Sequence, residues 1–368
     1  MSILSQQLKS CIRNIEDVQN TLCLSQEEIE GIQTITKRYP LCITPYYLSL
    51  IDPSDPTDPI RKMCVPTVEE FSLDGQADTS GEADNTVIKG MQHKYAQTAL
   101  ILSTNQCAMY CRHCFRKRMV GCNANEIANE LPAMAEYVKH HSEINNVLIS
   151  GGDSFINEND VIKRYLNTFC NIPSLDFIRF GTRVPVVLPQ RITEDEELLA
   201  LLSNYGKKKQ IIIVTQFNHP REITSASREA VQALMKCGCI IRNQTVLMKG
   251  INDDPVVLGC LMNELVKIGV IPYYIFQCRP VVGVKNQFQV PLLRGVQIVD
   301  GAKNTMSGQA KTVRYAMSHP TGKIEIIGQD SCGDMIFKYH QAKDPANASR
   351  IFTQKLEQNQ CWLGDISP

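Results

Sequence analysis

The segment Ser103-Thr-Asn-Gln-Cys107-Ala-Met-Tyr-Cys111-Arg-His-Cys114 places three cysteines in one short stretch with the spacing C-x3-C-x2-C. It directly follows the apolar run Ala99-Leu-Ile-Leu102, which is typical of a buried β-strand. Three thiolates from one loop can hold three irons of a [4Fe–4S] cluster and leave the fourth iron open to a small molecule. The segment therefore predicts an iron–sulfur loop at the end of a strand, with Cys107, Cys111 and Cys114 as its ligands.

Spacing alone leaves two other uses of these cysteines open. A structural zinc site takes four ligands, often in paired C-x2-C units, so His113 or a distant residue would have to complete it. Alternatively, the thiols are unligated and buried as small apolar side chains. The cluster is favoured because the motif follows the first strand of a repeating strand–helix pattern.

That pattern predicts the fold. From residue 97 onward, short apolar runs alternate with amphipathic stretches, which indicates a parallel sheet joined by helical crossovers. Six strands are too few for a closed eight-stranded barrel, so we expect an α/β fold with a partial (β/α)6 TIM-type barrel. The predicted strands are 99–102, 146–149, 177–180, 211–214, 240–241 with 244–247, and 271–276, and the predicted helices are 125–141, 157–171, 194–205, 224–237 and 254–268.

The barrel is predicted to span residues 97–290, between an N-terminal helical and irregular region, 1–96, and a C-terminal segment, 291–368. In the N-terminal region, Ser25-Gln-Glu-Glu28 is a capping box that starts a helix. Residues 72–88, rich in acidic residues and glycine, are expected to form an exposed loop.

Two strands are predicted in the C-terminal segment. Val313–Met317 and Lys323–Ile327 flank the turn His319–Gly322, so they read as an antiparallel pair. The tail beyond residue 330 contains the only tryptophan of the chain, Trp362, which we expect to anchor it to the core. We interpret Lys338, His340 and Lys343 as the polar face of this tail, with a contribution to a site or a subunit contact as the alternative.

Composition limits the class of protein. Lys+Arg and Asp+Glu both total 38, so the zero net charge indicates no nucleic-acid partner and no anionic membrane. The 15 cysteines are scattered and odd in number, which favours a reducing compartment over a disulfide framework. Residues 1–15 are amphipathic rather than a secretory signal, and the apolar runs are far shorter than a membrane span. The sequence therefore predicts a cytoplasmic metabolic enzyme.

A second motif, Leu148-Ile-Ser-Gly-Gly-Asp153, ends the second predicted strand. Its two glycines let the backbone approach a ligand closely, although Gly-Gly-Asp is also a common turn. In combination with the cysteine motif, the segment resembles the glycine motif of the radical S-adenosylmethionine (SAM) superfamily. That resemblance implies that residues Ser150, Gly151, Gly152 and Asp153 bind the amino group of the SAM methionine.

Within that superfamily, the chain resembles lysine 2,3-aminomutase and its relatives over roughly residues 40–325. The resemblance is carried by Ile43–Tyr47, Leu50–Pro53, Asp58–Lys62, Cys107–Arg118, Gly181–Thr193, Phe217–Pro220, Glu222–Thr224, Asn243–Gln244 and Pro272–Cys278. It implies an isomerase in which a reduced [4Fe–4S] cluster cleaves SAM to a 5′-deoxyadenosyl radical. The amino group of an amino acid, held on pyridoxal phosphate (PLP), then migrates from carbon 2 to carbon 3. It further implies a homo-oligomer and an electron donor such as flavodoxin or ferredoxin.

Two further residues match family positions that contact SAM. His219 precedes a proline in a loop, where it could instead cap a helix. Gln244 lies in a predicted strand, where it could instead be a hydrogen-bonded core amide. The resemblance implies a cofactor contact for both.

The first departure from the family concerns PLP. The family lysine that binds PLP follows a run of four glycines, whereas this chain reads Ser318-His-Pro-Thr-Gly-Lys323 and lacks three of them. Lys323 stands where the PLP lysine should be, and a catalytic lysine of this kind needs a depressed pKa. The alternative is a solvated lysine at the start of a strand.

The second departure concerns the substrate. The family has an aspartate for the distal ammonium of lysine where this chain has Arg279, and Arg116 matches the arginine that holds the substrate α-carboxylate. A guanidinium pairs with a carboxylate and repels a cation, so if both arginines face the site the substrate is expected to be an acidic amino acid. The resemblance alone implies a lysine-like substrate. Arg116 could instead form a surface salt bridge, and Arg279 could point outward before Pro280.

The leading prediction is therefore a radical SAM, PLP-dependent amino acid 2,3-aminomutase. One alternative is a radical SAM enzyme that has lost PLP and modifies another substrate by hydrogen abstraction. A non-catalytic iron–sulfur redox sensor is the alternative from a different class of protein.

Overall fold

A computed structural model gives the structure of the protein for residues 2–19, 21–122 and 124–364. Within these residues, twelve strands form one sheet in which each strand pairs with its neighbours in chain order. The strands are β1 Thr86–Ile88, β2 Met91–Tyr95, β3 Thr98–Thr104, β4 Asn146–Gly151, β5 Phe177–Gly181, β6 Gln210–Thr215, β7 Ile240–Leu247, β8 Ile271–Gln277, β9 Arg314–His319, β10 Gly322–Gln329, β11 Met335–Ala342 and β12 Ile351–Gln354.

Helices cover the outside of the sheet and the N-terminal region. They are α1 Ile3–Lys9, α2 Ile15–Gln19, α3 Gln26–Thr36, α4 Pro45–Leu48, α5 Pro59–Cys64, α6 Glu82–Asn85, α7 Leu131–His140, α8 Asn159–Cys170, α9 Val184–Val187, α10 Gln190–Thr193, α11 Glu196–Gly206, α12 Ser225–Lys236, α13 Pro255–Lys267, α14 Lys285–Phe288 and α15 Leu292–Lys303. Single 3-10 turns lie at Val68–Phe71, Ser154–Ile156, Pro220–Glu222, Ala310–Thr312 and Pro345–Asn347.

The predicted partial barrel is confirmed. Strands β3 to β8 are the six predicted strands, they pair in parallel, and the helices between them are the predicted crossovers α7, α8, α11, α12 and α13. The sheet stays open, with β1 and β12 at its edges. The first crossover helix begins at Leu131 rather than 125, because Pro132 occupies its first turn.

One strand has a pairing that the sequence prediction did not include. β9 does pair with β10 as predicted, but it also pairs in parallel with β8, through Tyr274 and Arg314. It is therefore a seventh parallel strand of the barrel as well as half of a hairpin. Strands β11 and β12 extend the sheet further by antiparallel pairing.

Alternation along β7 separates the two faces of the barrel wall. Its even-numbered residues, 240–246, are partly exposed, whereas its odd-numbered residues, 241–247, are buried under the helices. The same alternation occurs in β5. The partly exposed side chains line the inside of the open barrel, which we call the lumen.

The N-terminal region contains one correction. Ser25 and Glu28 form the predicted capping box of α3. Residues 72–88, however, are not simply an exposed loop: Thr79, Ser80 and Glu82 are buried, and β1 begins at Thr86. The segment is drawn inward because the Glu82 carboxylate pairs with arginines of the cysteine loop. The division of the chain at residues 96 and 290 stays a prediction.

The C-terminal tail folds back on the barrel. The Trp362 ring stacks on His319, with ring centroids 6.3 Å apart, and Leu363 is buried, which confirms the predicted anchor. Residues 365–368 lie outside the part of the chain that the structure describes. None of the helices in the described residues is both long and apolar enough to cross a membrane.

We predict that Leu258→Ala destabilises the protein by about 2–5 kcal/mol, because Leu258 is fully buried under the sheet on α13. Val256→Ala on the same helix is the control, since Val256 is 71% exposed and its truncation should cost less than about 0.5 kcal/mol. Urea unfolding of both variants measures the difference. Equal midpoints for the two variants would contradict the packing of α13.

Candidate active site

The cysteine loop follows β3 and lies at the carboxyl end of the parallel strands, where ligands bind in α/β sheets. Arg183 donates a hydrogen bond to Cys111 Sγ at 3.0 Å. Burial raises the pKa of the Cys107 thiol well above its usual value and that of Cys114 to about 11. Binding of metal would therefore have to displace protons from these thiols, as it does at other thiolate sites.

Buried carboxylates fix the loop on both sides. Glu70 lies 2.7 Å from Lys117 Nζ and also accepts hydrogen bonds from Arg112, one of them at 2.8 Å from Nε. Glu70 is fully buried, and both cations are nearly so. Burial opposes ionisation of Glu70, but Arg112 and Lys117 outweigh it and lower its pKa. Arg112 lies between Cys111 and Cys114 and Lys117 follows Cys114 by three residues, so Glu70 holds the cysteine loop directly.

A second buried carboxylate, Glu222, positions Arg183. Their side chains form an ion pair, and Glu222 also accepts a hydrogen bond from Tyr47 Oη at 2.6 Å. Because Arg183 in turn contacts Cys111, this network joins α4, the end of β5 and the loop after β6 to the cysteine loop. An arginine buried at this depth needs such a partner.

The donor set fits an iron–sulfur cluster better than zinc. Among the described residues, no three His, Cys, Asp or Glu side chains are grouped so as to hold a single metal ion. His113, the candidate fourth zinc ligand, instead has Nε2 within 3.2 Å of the Gln216 amide and 3.4 Å of the Asn218 amide. Thiolates of one cluster bind different irons, so they do not have to converge on a point.

Gly151 and Gly152 allow two backbones to touch. The Gly152 amide donates to the Thr104 carbonyl at 2.6 Å, and a Cβ on Gly152 would lie 2.3 Å from the Gln106 carbonyl oxygen. Gly151 has φ +114°, which favours glycine. The glycines are thus required by the approach of β4 to the cysteine loop itself.

Of the residues predicted to bind SAM in this segment, Asp153 is hydrogen-bonded to another part of the chain. Asp153 is buried and its two carboxylate oxygens accept hydrogen bonds from Thr182 Oγ1 at 2.5 Å and from the Arg183 amide at 2.6 Å. Burial raises the pKa of Asp153 despite these bonds. Asp153 therefore orients the Arg183 segment, and a direct cofactor contact by Asp153 or by Ser150 stays a prediction.

The SAM contacts predicted for His219 and Gln244 also stay predictions. His219 Nδ1 accepts a hydrogen bond from the Arg221 amide at 3.2 Å, so it does cap the 3-10 turn Pro220–Glu222, and its Nε2 is left for another partner. Gln244 projects into the lumen from β7, and its amide has no hydrogen bond within the described chain.

Arg116 is buried and points at the glycine motif. Its Nη1 lies 3.2 Å from the Gly151 carbonyl and 3.5 Å from Ser150 Oγ, and its Nε donates to Glu82 at 2.9 Å. Glu82 is also held by Arg118 at 2.8 Å. Burial opposes ionisation of Glu82, but the two arginines lower its pKa to about 2.

Arg279 lies beside Arg116. Its guanidinium sits 4.1 Å from the centre of the Phe115 ring, and that of Arg116 sits 4.6 Å from the same ring. Ser80 accepts a hydrogen bond from Arg279. Burial, with a further contribution from Arg116, lowers the pKa of Arg279 to about 10. The structure thus brings the two predicted substrate arginines together and directs neither to the outer surface.

Lys323 stands in an aromatic environment on β10. Its Nζ lies 4.4 Å from the centre of the Tyr274 ring and 3.2 Å from Gln341 Oε1. Burial lowers the pKa of Lys323 to about 7, with smaller contributions from the cations Arg179, Arg279 and Lys94. Lys323 is therefore not a freely solvated lysine, and a lowered pKa is what a lysine in covalent catalysis requires. Binding of PLP by Lys323 stays a prediction.

The sequence prediction missed several residues of this site. Lys94 donates to the His319 carbonyl at 2.7 Å, and burial lowers its pKa to about 7. Glu70, Glu82 and Glu222 have partners that are distant in sequence, so no local pattern identifies them. Only Arg183 had a visible signal, because it is a lone charge before the apolar run 184–188.

Comparison with known proteins identifies relatives that are named 2,3-aminomutases. No family model matches the chain. A putative L-lysine 2,3-aminomutase of Aquifex aeolicus is 39% identical over 346 residues, which cover 94% of this chain and 92% of that protein. The L-lysine 2,3-aminomutase of Clostridium subterminale is 38% identical over 82% of this chain and 72% of its own length. The glutamate 2,3-aminomutase of Clostridioides difficile is 36% identical over 86% and 74%.

We predict that Gly152→Ala destabilises the protein by about 1–3 kcal/mol or more, because its Cβ would collide with the fixed Gln106 carbonyl. Gly308→Ala is the matched control, since a Cβ at that position meets open space. Thermal unfolding measures both variants. A melting temperature for Gly152→Ala equal to that of Gly308→Ala would show that the two backbones do not approach as closely as described.

Proposed function

The chain belongs to the L-lysine 2,3-aminomutase family and is a radical SAM aminomutase, and we propose that its substrate is an acidic amino acid. The observation that carries this proposal is the pair Arg116 and Arg279, which lie against the same ring of Phe115. The relatives include enzymes named for lysine and one named for glutamate, at similar identity. Sequence identity therefore does not distinguish a cationic from an anionic substrate. The charges of the site are the evidence that does.

The charge balance favours an anion. Three guanidinium groups, Arg116, Arg118 and Arg279, lie around the single buried carboxylate of Glu82. Arg118 has a second partner, Glu126. Asp78 also lies near Arg279, and Lys94 adds a further cation. Arg279 itself donates its hydrogen bond to the neutral Ser80, so a second carboxylate is attracted to it, whereas the ammonium of a lysine side chain would be repelled. In this arrangement Arg116 binds the α-carboxylate and Arg279 binds the side-chain carboxylate.

The cofactors of the proposed reaction are a [4Fe–4S] cluster on Cys107, Cys111 and Cys114, SAM and PLP. When bound, they supply the carbon radical and the carrier for the migrating amino group. Arg183 orients Cys111 within the loop, because its guanidinium donates a hydrogen bond to Sγ. The residues that the resemblance assigns to SAM are those of the glycine motif, together with His219 and Gln244.

Lys323 is proposed to hold PLP. Its Nζ lies against Tyr274, and Phe276 and Tyr95 are 5.8 and 5.9 Å away, so water has little access to the amine. The shortened glycine run does not prevent this, because the tight turn before β10 places Lys323 on the lumen side of the strand. A one-electron donor such as flavodoxin or ferredoxin, and a homo-oligomeric state, complete the proposal.

Substrate preference tests the proposal. We expect the anaerobic, reduced enzyme with SAM and PLP to form 5′-deoxyadenosine and a β-amino acid from glutamate or aspartate, and not from lysine. Arg279→Gln should lower kcat/KM for the acid about 100-fold, the loss of one charge-assisted pair. Arg314→Gln is the control, because it removes a guanidinium that is 45% exposed at the start of β9.

Two outcomes would contradict this assignment. Faster turnover of lysine than of either acid would overturn the acidic substrate, and so would an unchanged kcat/KM in Arg279→Gln. Absence of any 5′-deoxyadenosine with every amino acid tested would instead count for a substrate of another class.

The low pKa of Lys323 predicts how PLP attachment depends on pH. Only the unprotonated amine reacts, so the rate of attachment should rise through about pH 7 and level off above about pH 8, near the lowered pKa. A solvated lysine, with a pKa of about 10.4, would still gain rate above pH 9. The visible band of lysine-bound PLP measures the rate, and Lys323→Ala is the blank. A rate still rising tenfold per pH unit at pH 9 would contradict the buried position of Lys323.

A further inference from the structure

Two arginines in the lumen have no acidic partner. Arg179 on β5 and Arg242 on β7 each have a buried Nε atom without a hydrogen-bond acceptor among the described residues. Arg179 donates only to neutral oxygens, at 2.6 Å to Asn146 Oδ1 and 3.4 Å to Thr98 Oγ1. Within the described chain, neither guanidinium forms an ion pair. Every other arginine discussed above has a carboxylate partner or, at Arg279, lies near one.

The two arginines surround the same pair of tyrosines as Lys323. The Arg242 guanidinium lies 4.8 Å from the centre of the Tyr273 ring, and the Tyr273 and Tyr274 rings are 4.0 Å apart. Lys323 Nζ lies over the Tyr274 ring, 4.4 Å from its centre. The pKa of Arg179 is lowered, first by burial and also by the nearby charge of Arg242. Three cationic groups thus converge on one part of the lumen.

The strand register places these groups at adjacent levels. Arg179 pairs with Ile212 of β6, and Arg242 pairs with Val214 of the same strand, two residues further toward the carboxyl end. Both belong to the partly exposed alternation that faces the lumen. Their guanidinium groups therefore border one space rather than two separate parts of the core.

Among the residues that the structure describes, no carboxylate in this space neutralises them. Glu325, the acidic residue nearest to Lys323 on β10, is paired with Arg314 at 3.6 Å. The Nε atom of each arginine is buried without an acceptor, which is costly, and a bound anion would complete both groups. A dianionic phosphate matches two guanidinium forks better than one carboxylate does. The substrate carboxylates, moreover, already have Arg116 and Arg279.

We propose that Arg179 and Arg242 form an anion site in the lumen that binds the phosphate group of a pyridoxal ligand held at Lys323. The inference rests on the proposed function, because it assumes that Lys323 carries this ligand. It adds the residues that select the phosphorylated form over pyridoxal. Free inorganic phosphate has the same chemistry and is expected to bind there when the pyridoxal ligand is absent.

Binding of PLP and of pyridoxal to the cluster-loaded protein tests the site without relying on turnover. We expect Arg242→Gln to weaken PLP binding about tenfold or more and to change pyridoxal binding less than about twofold, because pyridoxal lacks the phosphate. Arg242→Lys keeps the charge and should recover part of the affinity. Arg228→Gln is the matched control, since Arg228 lies on the outer helix α12 and is paired with Glu264 of α13. The band of the lysine adduct reports binding.

The melting temperature without ligand separates binding from packing. Arg242→Gln removes a guanidinium whose buried Nε has no acceptor, so it should not lower the melting temperature. A fall larger than that of Arg228→Gln, together with an unchanged ratio of PLP to pyridoxal affinity, would assign Arg242 to packing on Tyr273 and overturn the proposal.

Failure of the proposed function is distinguishable from failure of the anion site. If the wild-type protein forms no adduct at Lys323, the PLP assignment fails. In that case inorganic phosphate, compared with chloride at equal ionic strength, tests the site alone. A phosphate-dependent rise in melting temperature that is lost in Arg242→Gln supports it, and the same rise in both proteins, or none in either, overturns it.

Discussion

Three buried glutamates hold the cysteine loop, and the candidate active site depends on them. Glu70 and Glu82 bind the cations that flank the cysteines, and Glu222 binds Arg183, which contacts Cys111. Each ion pair is removed from water, so the loss of one partner would leave an uncompensated buried charge at a cost of about 3–5 kcal/mol. These ion pairs hold the cysteine loop, which contains few glycines, in one conformation.

The lumen behind this loop follows the opposite rule. There Arg179, Arg242 and Lys323 lie close together, and no carboxylate balances them among the described residues. Stability alone would favour neutral side chains in such a place, because unpaired buried cations are costly. The contrast separates two roles of buried charge in one molecule. Paired charges hold the cysteine loop in place, and the unpaired charges line the proposed anion site.

The sequence predicted what depends on local pattern. Apolar runs alternating with amphipathic stretches identified β3 to β8 and five crossover helices, because period and length are properties of each segment alone. Pairings between segments that are distant in sequence could not be predicted from local pattern. Glu82 reads as part of a solvated acidic loop until Arg116, 34 residues away, is seen to bind it. The parallel pairing of β9 with β8 likewise depends on the path of the intervening chain. At the site, the cysteine spacing and the substitution at position 279 were informative, whereas the lumen arginines carried no recognisable pattern.

The position of Glu82 also constrains how a substrate would bind. In the structure Arg116 is already paired with Glu82, and Arg118 holds the other carboxylate oxygen, so a substrate cannot easily displace that carboxylate. The α-carboxylate would have to share Arg116 with it, through the Nη1 group that now faces the Gly151 carbonyl. Two carboxylates on one guanidinium repel each other at short range, unless another cation lies beside them. Arg279, on the same face of the site through Phe115, is that cation. An aspartate at position 279 would bring a further negative charge next to Glu82 and would be tolerated only with a cationic substrate side chain. The charge at position 279 and the charge of the substrate are therefore coupled through Glu82, and a positive residue there is consistent only with a neutral or anionic side chain.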